Sequence, residues 1–183
     1  MKTKLKILIV VTFFLLTLSN SYCIEDIEMS IQKDRNSLWV KADIIPSEEF
    51  IEDFKNGLSK NLFISVALFR RWSIIPDEFI TGIQIKRKLI SDPIKEEFII
   101  ESIEPLYLKE KRFKDCYEAL KQALRIDNIK ISELSSIEAG KYYIKIVVES
   151  NIKKLPAVLE HILFFIPKYD KKIEKKSEVF RLP

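Results

Sequence analysis

The sequence predicts a mainly β protein: a β-rich α+β domain whose strands form an antiparallel Greek-key or immunoglobulin-like sandwich, with two or three helices on the connections. Three observations support this prediction. Apolar and polar residues alternate along several short segments, as they do in strands that bury one face. Turn-forming residues, for example at 34–37 and 91–93, separate these segments. Two other segments combine a helix cap with an apolar stripe.

Composition sets the scale of the protein and excludes one class of site. The chain has 183 residues, of which 47% are hydrophobic and 11% aromatic, enough for the core of one domain. It holds three glycines, Gly57, Gly82 and Gly140. Loops that cradle nucleotide phosphates need several glycines at close spacing, so the sequence argues against a nucleotide-binding protein.

The first 23 residues are typical of a secretory signal. Three lysines among the first six residues precede an apolar run from Ile7 to Leu18, and polar residues follow up to Cys23. The apolar run is too short for a comfortable membrane span. We therefore predict that residues 1–23 are a signal peptide. The protein is then exported, and either periplasmic or peripheral to the membrane; an uncleaved signal anchor is the alternative.

Cleavage changes the charge and the thiol count. A cut after Ser21 or Cys23 removes three of the 31 basic residues and leaves 28 against 27 acidic ones, a net charge of +1. This balance argues against a nucleic-acid partner. Lipidation of Cys23 is a weaker alternative, because Asn20 and Tyr22 stand where a lipobox holds leucine and a small residue. If Cys23 is removed, Cys116 is the only thiol, which excludes a disulfide within the chain.

The mature chain begins with a predicted hairpin and helix. Residues 27–31 and 38–44 alternate between apolar and polar types on either side of the turn at 34–37, the pattern of two paired strands. Ser47 then stands where it would cap a helix, and Gly57 where a left-handed residue would end it.

The next segment, Asn61 to Trp72, is the strand around which the predicted fold is organised. Its apolar side chains fall on both faces, with Leu62, Ile64, Val66 and Leu68 on one and Phe63, Ala67 and Phe69 on the other. A strand of this kind is predicted to be central in its sheet and covered on both faces.

Later segments complete the predicted domain. Residues 79–90 and 94–103 alternate as a second hairpin, and Asp115 begins a capping box and a short helix. The turn at 134–143 combines leucine, glycine and tyrosine like the tyrosine corner of Greek-key sandwiches, where the hydroxyl binds back to the connection. We place a single β-rich domain at 24–167 and a solvated, lysine-rich tail at 168–183.

Five residues at the end of the central strand form the first candidate partner-binding site: Arg70, Arg71, Trp72, Asp77 and Glu78. Arginine and tryptophan often anchor interfaces, because they combine large planar surfaces with directional donors. The alternative is structural. Trp72 would then plug the end of the sandwich, while Arg70 or Arg71 would pair with Asp77 and fix the turn.

Phe164 and Phe165 form the second candidate. They lie in the apolar run from Val158 to Ile166, which five lysines follow. An apolar segment with a basic flank is suited to contact a membrane surface or a membrane protein. The alternative is that the segment packs into the core of the domain.

The sequence offers no recognisable catalytic or metal-binding set. His161 is the only histidine and Cys116 is expected on a helix, so a set of nitrogen and sulfur ligands for a metal is lacking. No serine stands in a nucleophile elbow. The glutamate pairs at 48–49 and 96–97 point apart in a strand and in a helix alike. We therefore expect a protein that is not an enzyme and holds no cofactor or metal.

In their order, these features resemble the bacterial exported proteins grouped as domain of unknown function 4390 (DUF4390). The resemblance rests on the signal, the early hairpin, the helix ending at Asn56-Gly57, the strand closing on Arg70-Arg71-Trp72, the segment Phe113 to Leu120, and the turn Leu134 to Tyr143. It implies an exported, β-rich protein of about this size without an established activity. It also implies a tryptophan near the C-terminus, which the stretch from Tyr169 to Pro183 lacks.

Taken together, the sequence predicts a non-catalytic interaction module that binds an envelope or inner-membrane protein, with possible membrane contact through the C-terminal segment. The surface around Trp72 or Phe164 should then expose an apolar patch larger than a few hundred Å². The alternative function is a carrier of a lipid or other apolar ligand between the sheets. That function needs a closed apolar cavity of roughly 300 Å³ or more.

Overall fold

The computed structural model describes residues 24–104, 107–151 and 171–182. It confirms a mainly β, antiparallel and sandwich-like fold. The strands are β1 (Ile24–Lys33), β2 (Ser37–Pro46), β3 (Lys60–Arg70), β4 (Glu78–Asp92), β5 (Glu97–Glu104), β6 (Tyr107–Phe113), β7 (Arg125–Glu133), β8 (Gly140–Asn151), β9 (Lys171–Lys176) and β10 (Phe180–Leu182). Two α-helices lie in these ranges, α1 (Glu48–Lys55) and α2 (Cys116–Leu124), together with a 3₁₀ turn at Leu134–Ser136.

The strands form two sheets around one core. The smaller sheet has the order β1-β2-β7, and the larger has the order β10-β8-β3-β4-β5-β6, with β9 beside β10 on the same edge of β8. Strands β3 to β6 form a meander, and β8 returns to pair with β3. Such a return beside the first strand characterises Greek-key sheets. Side chains from both sheets and both helices meet in one buried cluster.

The central position of β3 is confirmed, but its two faces differ. The inner face is fully buried and consists of Leu62, Ile64, Val66 and Leu68. The outer face carries Phe63, Ala67 and Phe69 and is only partly buried, whereas the sequence predicts that both faces are covered. Among the described residues, the buried core cluster contacts the inner face, while aromatic rings on the outer face shield one another. Within the described ranges, the outer face of β3 is therefore covered only in part.

Helix α1 begins and ends where the sequence predicts. The Ser47 side chain accepts a hydrogen bond from the Phe50 amide at 3.2 Å, which satisfies one of the free donors of the first turn. Gly57 adopts a φ of +93°, the left-handed conformation that suits glycine after a helix. The buried Lys60 ammonium, which lies 2.7 Å from Asp53, ties α1 to the start of β3.

Helix α2 has a predicted cap at one end and an unpredicted one at the other. Asp115 accepts from the Glu118 amide at 2.8 Å, which confirms the N-terminal cap. At the opposite end the buried Arg87 of β4 donates to the carbonyls of Ala123 and Arg125. A cation at this position is favoured by the helix dipole, and it fastens α2 to the larger sheet.

Four strands are missing from the sequence-based prediction: β6, β7, β9 and β10. Strands β6 and β9 lie at the edges of the larger sheet, and their sequences, YLKEKRF and KKIEKK, carry charges on both faces. Edge strands tolerate such charges, so the alternation that identifies buried strands is absent. The lysine-rich tail expected at 168–183 must be corrected accordingly, because this range contains β9 and β10, which are paired with β8.

Candidate functional site

The residues of the first candidate meet at one end of the larger sheet. Arg70 closes β3 and pairs with Glu78 at the start of β4, and residues 71–77 form the loop between them. Strand β8 borders β3 on the edge opposite to β4, and there Arg70 pairs with Tyr142 near the start of β8. We call this region the Trp72 end: the β3–β4 loop, residues 138–143, and residues 179–181 beside them.

A tyrosine corner holds the inner side of the Trp72 end. The hydroxyl of the buried Tyr142 donates to the Glu138 carbonyl at 2.6 Å, which confirms the corner expected from the sequence. Burial raises the pKa of the Tyr142 hydroxyl, so this group stays a protonated donor. A Cβ on Gly140 would lie 3.1 Å from the Arg70 side chain and 3.2 Å from the Tyr142 ring, which explains why glycine fits here.

Arg70 belongs to the same inner cluster. Its guanidinium donates to the Glu138 carboxylate at 2.6 Å and to the Ala139 carbonyl at 3.0 Å. The hydrogen bond to Glu138 is the main reason why the pKa of Arg70 is raised. The sequence-based alternative paired Arg70 or Arg71 with Asp77. This pairing is wrong for Arg70, whose partner is Glu138 instead. The tyrosine corner, in which Tyr142 binds the Glu138 carbonyl, places the Glu138 carboxylate next to Arg70.

Asp77 and Glu78 instead hold the loop through Trp72 and Tyr143. Asp77 accepts from the Trp72 amide at 3.3 Å and from the Tyr143 hydroxyl at 3.0 Å. Glu78 accepts from the Trp72 indole nitrogen at 3.3 Å. The Arg70 guanidinium lies 4.4 Å from the centre of the Trp72 ring, a cation–π contact. Trp72 is nevertheless 38% exposed, so it lies on the surface and does not plug the sandwich.

The outer face of the sheet at this end is aromatic. Phe69 stacks on Tyr143 at 5.5 Å with an interplanar angle of 11°, and it meets Phe79 edge-on at 5.7 Å. Burial is the main cause of the raised pKa of Tyr143, and its hydrogen bond to Asp77 adds to the effect. These rings pack together at the base of the β3–β4 loop.

The tip of the loop is strongly apolar and was missed in the sequence analysis. Ile74 is 96% exposed and Ile75 58%, and Phe79 beside them is 59% exposed. Two isoleucines in a turn next to Pro76 were the available signal, because turn residues are usually polar or small. Single exposed apolar residues are ordinary, whereas three exposed apolar residues in one short stretch of chain next to Trp72 are unusual.

Three cations lie in a row beside this tip; we call them the cation row. They are Arg71, Lys141 and Arg181, all exposed. The Arg71 amide bonds to the Lys141 carbonyl at 2.8 Å, and Lys141 is the register partner of Arg181. Among the described residues none of the three side chains has a hydrogen-bond or ion-pair partner. Together with Trp72 they line an open cleft of about 640 Å³.

The other sequence-based candidates are not brought to this site. Phe164, Phe165 and His161 lie outside the described residues. The residues that flank their segment, Asn151 and Lys171, lie at the opposite end of the sheet, since Asn151 pairs with Asn61 at the start of β3. At roughly 3.3 Å per residue, the 11 residues of β3 span about 35 Å.

The start of the described chain also lies far from the Trp72 end. Strand β1 runs beside β9 and β10, with Asp26 bonded to Lys175 at 2.8 Å and the Lys33 ammonium bonded to the Arg181 carbonyl at 2.9 Å. Ile24 therefore lies near the level of Lys171. The chain segments 1–23 and 152–170 both join the described fold at the end opposite to Trp72.

The described ranges contain little that resembles a reaction centre. No group of three or more histidine, cysteine, aspartate or glutamate side chains is arranged to hold a metal ion within them. Cys116 is buried, and burial raises the pKa of its thiol, so it lacks the thiolate character of a nucleophile. None of the helices in these ranges is both long enough and apolar enough to cross a membrane.

Comparison with known proteins identifies a family. No curated protein and no solved structure matches the chain. Residues 19–178 match the family described as domain of unknown function DUF4390. This match covers both sheets from β1 to β9 and the whole of the β3–β4 loop. The chain therefore belongs to the DUF4390 family.

Proposed function

We propose that the protein is a non-catalytic interaction module of the cell envelope, which binds a protein partner through the Trp72 end. The observation that supports this proposal best is the composition of that end. An exposed tryptophan and the cation row line one cleft, and three exposed apolar side chains lie in the adjoining β3–β4 loop and the start of β4. Tryptophan and arginine are the residues that most often dominate the energy of an interface.

The chemistry of this surface defines the partner that it would fit. The side chains of Trp72, Ile74 and Phe79 would pack against an apolar side chain of the partner, and burial of their exposed carbon surface would provide the driving force. The cation row would lie at the rim of the contact and face carboxylates. A partner segment with an apolar centre and an acidic flank fits both parts.

The attachment of the outer segments fits a location at the membrane. Residues 1–23 and 152–170, the two stretches with apolar runs, join the fold at the end opposite to Trp72. If either stretch contacts the membrane, the Trp72 end points away from it by about the length of β3, roughly 35 Å. The partner would then be a periplasmic protein or the extramembrane part of an inner-membrane protein.

The test is crosslinking in cells followed by purification of the tagged protein from the envelope, with proteins and lipids identified by mass spectrometry. We expect one stoichiometric protein partner, which disappears with Trp72→Ala and persists with Trp39→Ala. Trp39 is a partly buried tryptophan of β2 in the other sheet, so it controls for the loss of an indole. A partner that persists with Trp72→Ala contradicts the proposal.

A second candidate function is a carrier of a lipid or other apolar ligand. A groove of about 440 Å³ between the sheets favours it, because this volume lies within the range of small-molecule sites. The groove is open, however, whereas the carrier function is expected to need a closed cavity. The same purification tests it. A lipid present at one molecule per protein supports the carrier, and a lipid-free protein argues against it, whatever the outcome for the protein partner.

A further inference from the structure

We infer that the protein partner of the Trp72 end contributes an extended segment, which continues past Val179 into a second groove between the edges of the two sheets. This inference rests on the proposed function and adds the form and the path of the partner's bound segment. We call the second site the edge groove. It lies between β1 on one side and the end of β9, residues 177–179 and the start of β10 on the other, and its volume is about 630 Å³.

The edge groove separates two strand edges that are not paired with each other. Within the described ranges, β1 pairs with β2 alone, and β9 and β10 pair with β8 alone. Side chains bridge the two edges: Asp26 bonds to Lys175 at 2.8 Å, and the Lys33 ammonium bonds to the Arg181 carbonyl at 2.9 Å. Between these two bridges the groove follows β1.

Both walls of the edge groove are apolar near the Trp72 end. Ile27, Met29 and Ile31 line one wall, because alternate residues of a strand share a face. Ile27 is completely buried, whereas Met29 and Ile31, closer to the Trp72 end, are only partly buried. On the other wall Val179 is 40% exposed and Phe180 is partly buried. An apolar side chain of a partner would bury this accessible carbon surface, which favours binding.

An irregularity in the larger sheet places Val179 at this site. Between the partners of Lys176 and Phe180, β8 has two residues, whereas the opposing chain has three. The Ser177 hydroxyl accepts from the Ile144 amide at 2.9 Å, where a regular ladder would use a main-chain carbonyl. An extra residue of this kind is a bulge, and bulges at sheet edges commonly redirect a side chain. Val179 follows this bulge.

Val179 also makes the two sites continuous, because it lines both the edge groove and the cleft of the cation row. In the next two residues the chain serves each site in turn, since Phe180 lines the edge groove and Arg181 the cleft. Lys33 of the smaller sheet adds a fourth cation at this junction, where its ammonium lies 4.7 Å from the centre of the Phe180 ring. A segment bound at the Trp72 end therefore has a direct path into the edge groove.

The charges along this path set the order of the partner's residues. The cation row offers positive charge alone, so it fits carboxylates. The edge groove has carboxylates on both walls, Glu28 and Glu178, so it fits an apolar side chain better than a further acid. The expected segment places one apolar residue on Trp72, acidic residues on the cation row and a second apolar residue in the edge groove.

Strand geometry gives the length of the segment. Neighbouring strands are about 4.8 Å apart, so the cation row spans about 10 Å across β3, β8 and β10. From Lys33 to Met29, β1 covers about 13 Å more. An extended chain advances about 3.3 Å per residue, so at least about seven residues are needed to cover both sites.

The alternative is that the edge groove is only the seam at which the sandwich closes. Lysines on an edge strand such as β9 oppose pairing between separate molecules, and that role needs no partner. It explains neither the bulge at 177–179 nor the accessible apolar surface on both walls. A seam closed by packing would bury Met29, Ile31 and Val179 against one another.

The test is photo-crosslinking in cells from a reactive residue placed in the full chain at position 33, with position 32 as the control and position 74 as the reference. Lys33 and Gln32 are both exposed, but they point to opposite faces of β1, and only Lys33 lines the edge groove. We expect position 33 to capture the same protein as position 74, and position 32 to capture at least about tenfold less of it. The two crosslinked sites should lie within about 15 residues of each other in the partner, because one extended segment joins them.

Matched variants measure what the groove contributes. Met29→Ala and Ile31→Ala should each lower the fraction captured from position 74 at least about threefold, because an apolar contact is lost. Ile129→Ala truncates a partly buried isoleucine on the other edge strand of the smaller sheet and should leave that fraction unchanged. Urea unfolding verifies that the variants are folded; if Ile31→Ala is not, the exposed positions 32 and 33 still decide.

The outcomes separate this inference from the proposed function. Capture from position 74 but not from position 33, or equal capture from positions 32 and 33, would overturn the inference and leave the proposed function in place. The inference would also be overturned if position 33 captured a lipid or a second copy of the chain, or a site more than about 40 residues from the one captured from position 74. No capture from position 74 would instead contradict the proposed function itself, and the inference with it.

Discussion

Tyr142 and Tyr143 are neighbours in the chain, yet they serve opposite halves of the Trp72 end. Tyr142 points inward, is 1% exposed and bonds to the Glu138 carbonyl. Tyr143 points outward, stacks on Phe69 and holds Asp77 of the β3–β4 loop. The inner half fastens the connection between β7 and β8. The outer half supports a loop whose own side chains are left exposed.

Arg70 and Arg71 repeat this division. The Arg70 side chain is 17% exposed and is bonded to Glu138 and Ala139. Arg71 is exposed and has no side-chain partner among the described residues. Arg70 is the last residue of β3 and is bonded to the tyrosine corner, whereas Arg71 is the first residue of the β3–β4 loop, so we propose that one arginine serves the fold and the next binds the partner. A cluster that looks uniform in sequence is thus two regions with separate roles, and mutations should separate stability from binding.

The largest effect is expected in the inner half. Tyr142→Ala should lower the free energy of unfolding by about 3–5 kcal/mol, because it removes a large buried ring and leaves a cavity. Tyr142→Phe, which loses only the hydrogen bond to Glu138, should cost about 1 kcal/mol. Urea unfolding measures both. Losses below roughly 1 kcal/mol for the alanine variant would mean that the corner does not fasten the fold.

The next effect is expected in the outer half. Trp72→Ala should weaken partner binding about 30-fold or more, as for an interface anchor, while the free energy of unfolding changes by less than about 1.5 kcal/mol. Tyr142→Phe is the inverse control and should leave the affinity for the partner unchanged. If both variants lower stability and affinity in the same proportion, the two halves are not separate.

The cation row sharpens the comparison further. Lys141 and Arg181 face each other in the register, and like charges at such positions repel. The triple variant Arg71→Gln, Lys141→Gln, Arg181→Gln should therefore unfold with a free energy that is unchanged or higher by up to about 0.5 kcal/mol. Partner binding should weaken and lose most of its dependence on salt concentration. A destabilised variant would show that the row serves the fold.

The smallest effect concerns alkaline pH. The pKa of Tyr142 and the pKa of Tyr143 are both raised in the folded protein. An acid with a raised folded pKa contributes its full stability below the unfolded pKa, about 10 for tyrosine, and loses it as the pH rises through the folded value. Stability should therefore fall above about pH 10. The double variant Tyr142→Phe, Tyr143→Phe should show a shallower fall than the natural chain; an equal fall would contradict the assignment.

The sequence was sufficient for features that depend on neighbouring residues. Ser47, Gly57 and Asp115 mark helix ends by local chemistry, and alternation identified β1 to β5 and β8. The tyrosine corner was also predictable, because its acceptor, Glu138, lies four residues before Tyr142 in the chain.

Features that depend on distant residues were not predictable. The salt bridge of Arg70 needs Glu138, 68 residues away, and the cation row needs Arg181 to pair beside Lys141. Strands such as β9 have no apolar alternation, because an edge strand with two charged faces gains its order from backbone pairing with its neighbour. The groove between the sheets, lined by β4, β5, β6, α2 and β7, is likewise formed by elements distant in the chain, in two sheets with unequal numbers of strands, which no local pattern encodes.

The most direct test of the central claim, that the Trp72 end binds a protein partner, is photo-crosslinking in cells from a reactive residue placed at position 74 or at position 94. Both natural isoleucines are almost fully exposed, 96% and 93%, but Ile94 lies in the β4–β5 turn at the other end of the sheet. The account predicts one crosslinked protein from position 74 that is absent from position 94. Equal capture from both positions, or capture from position 94 alone, would contradict it.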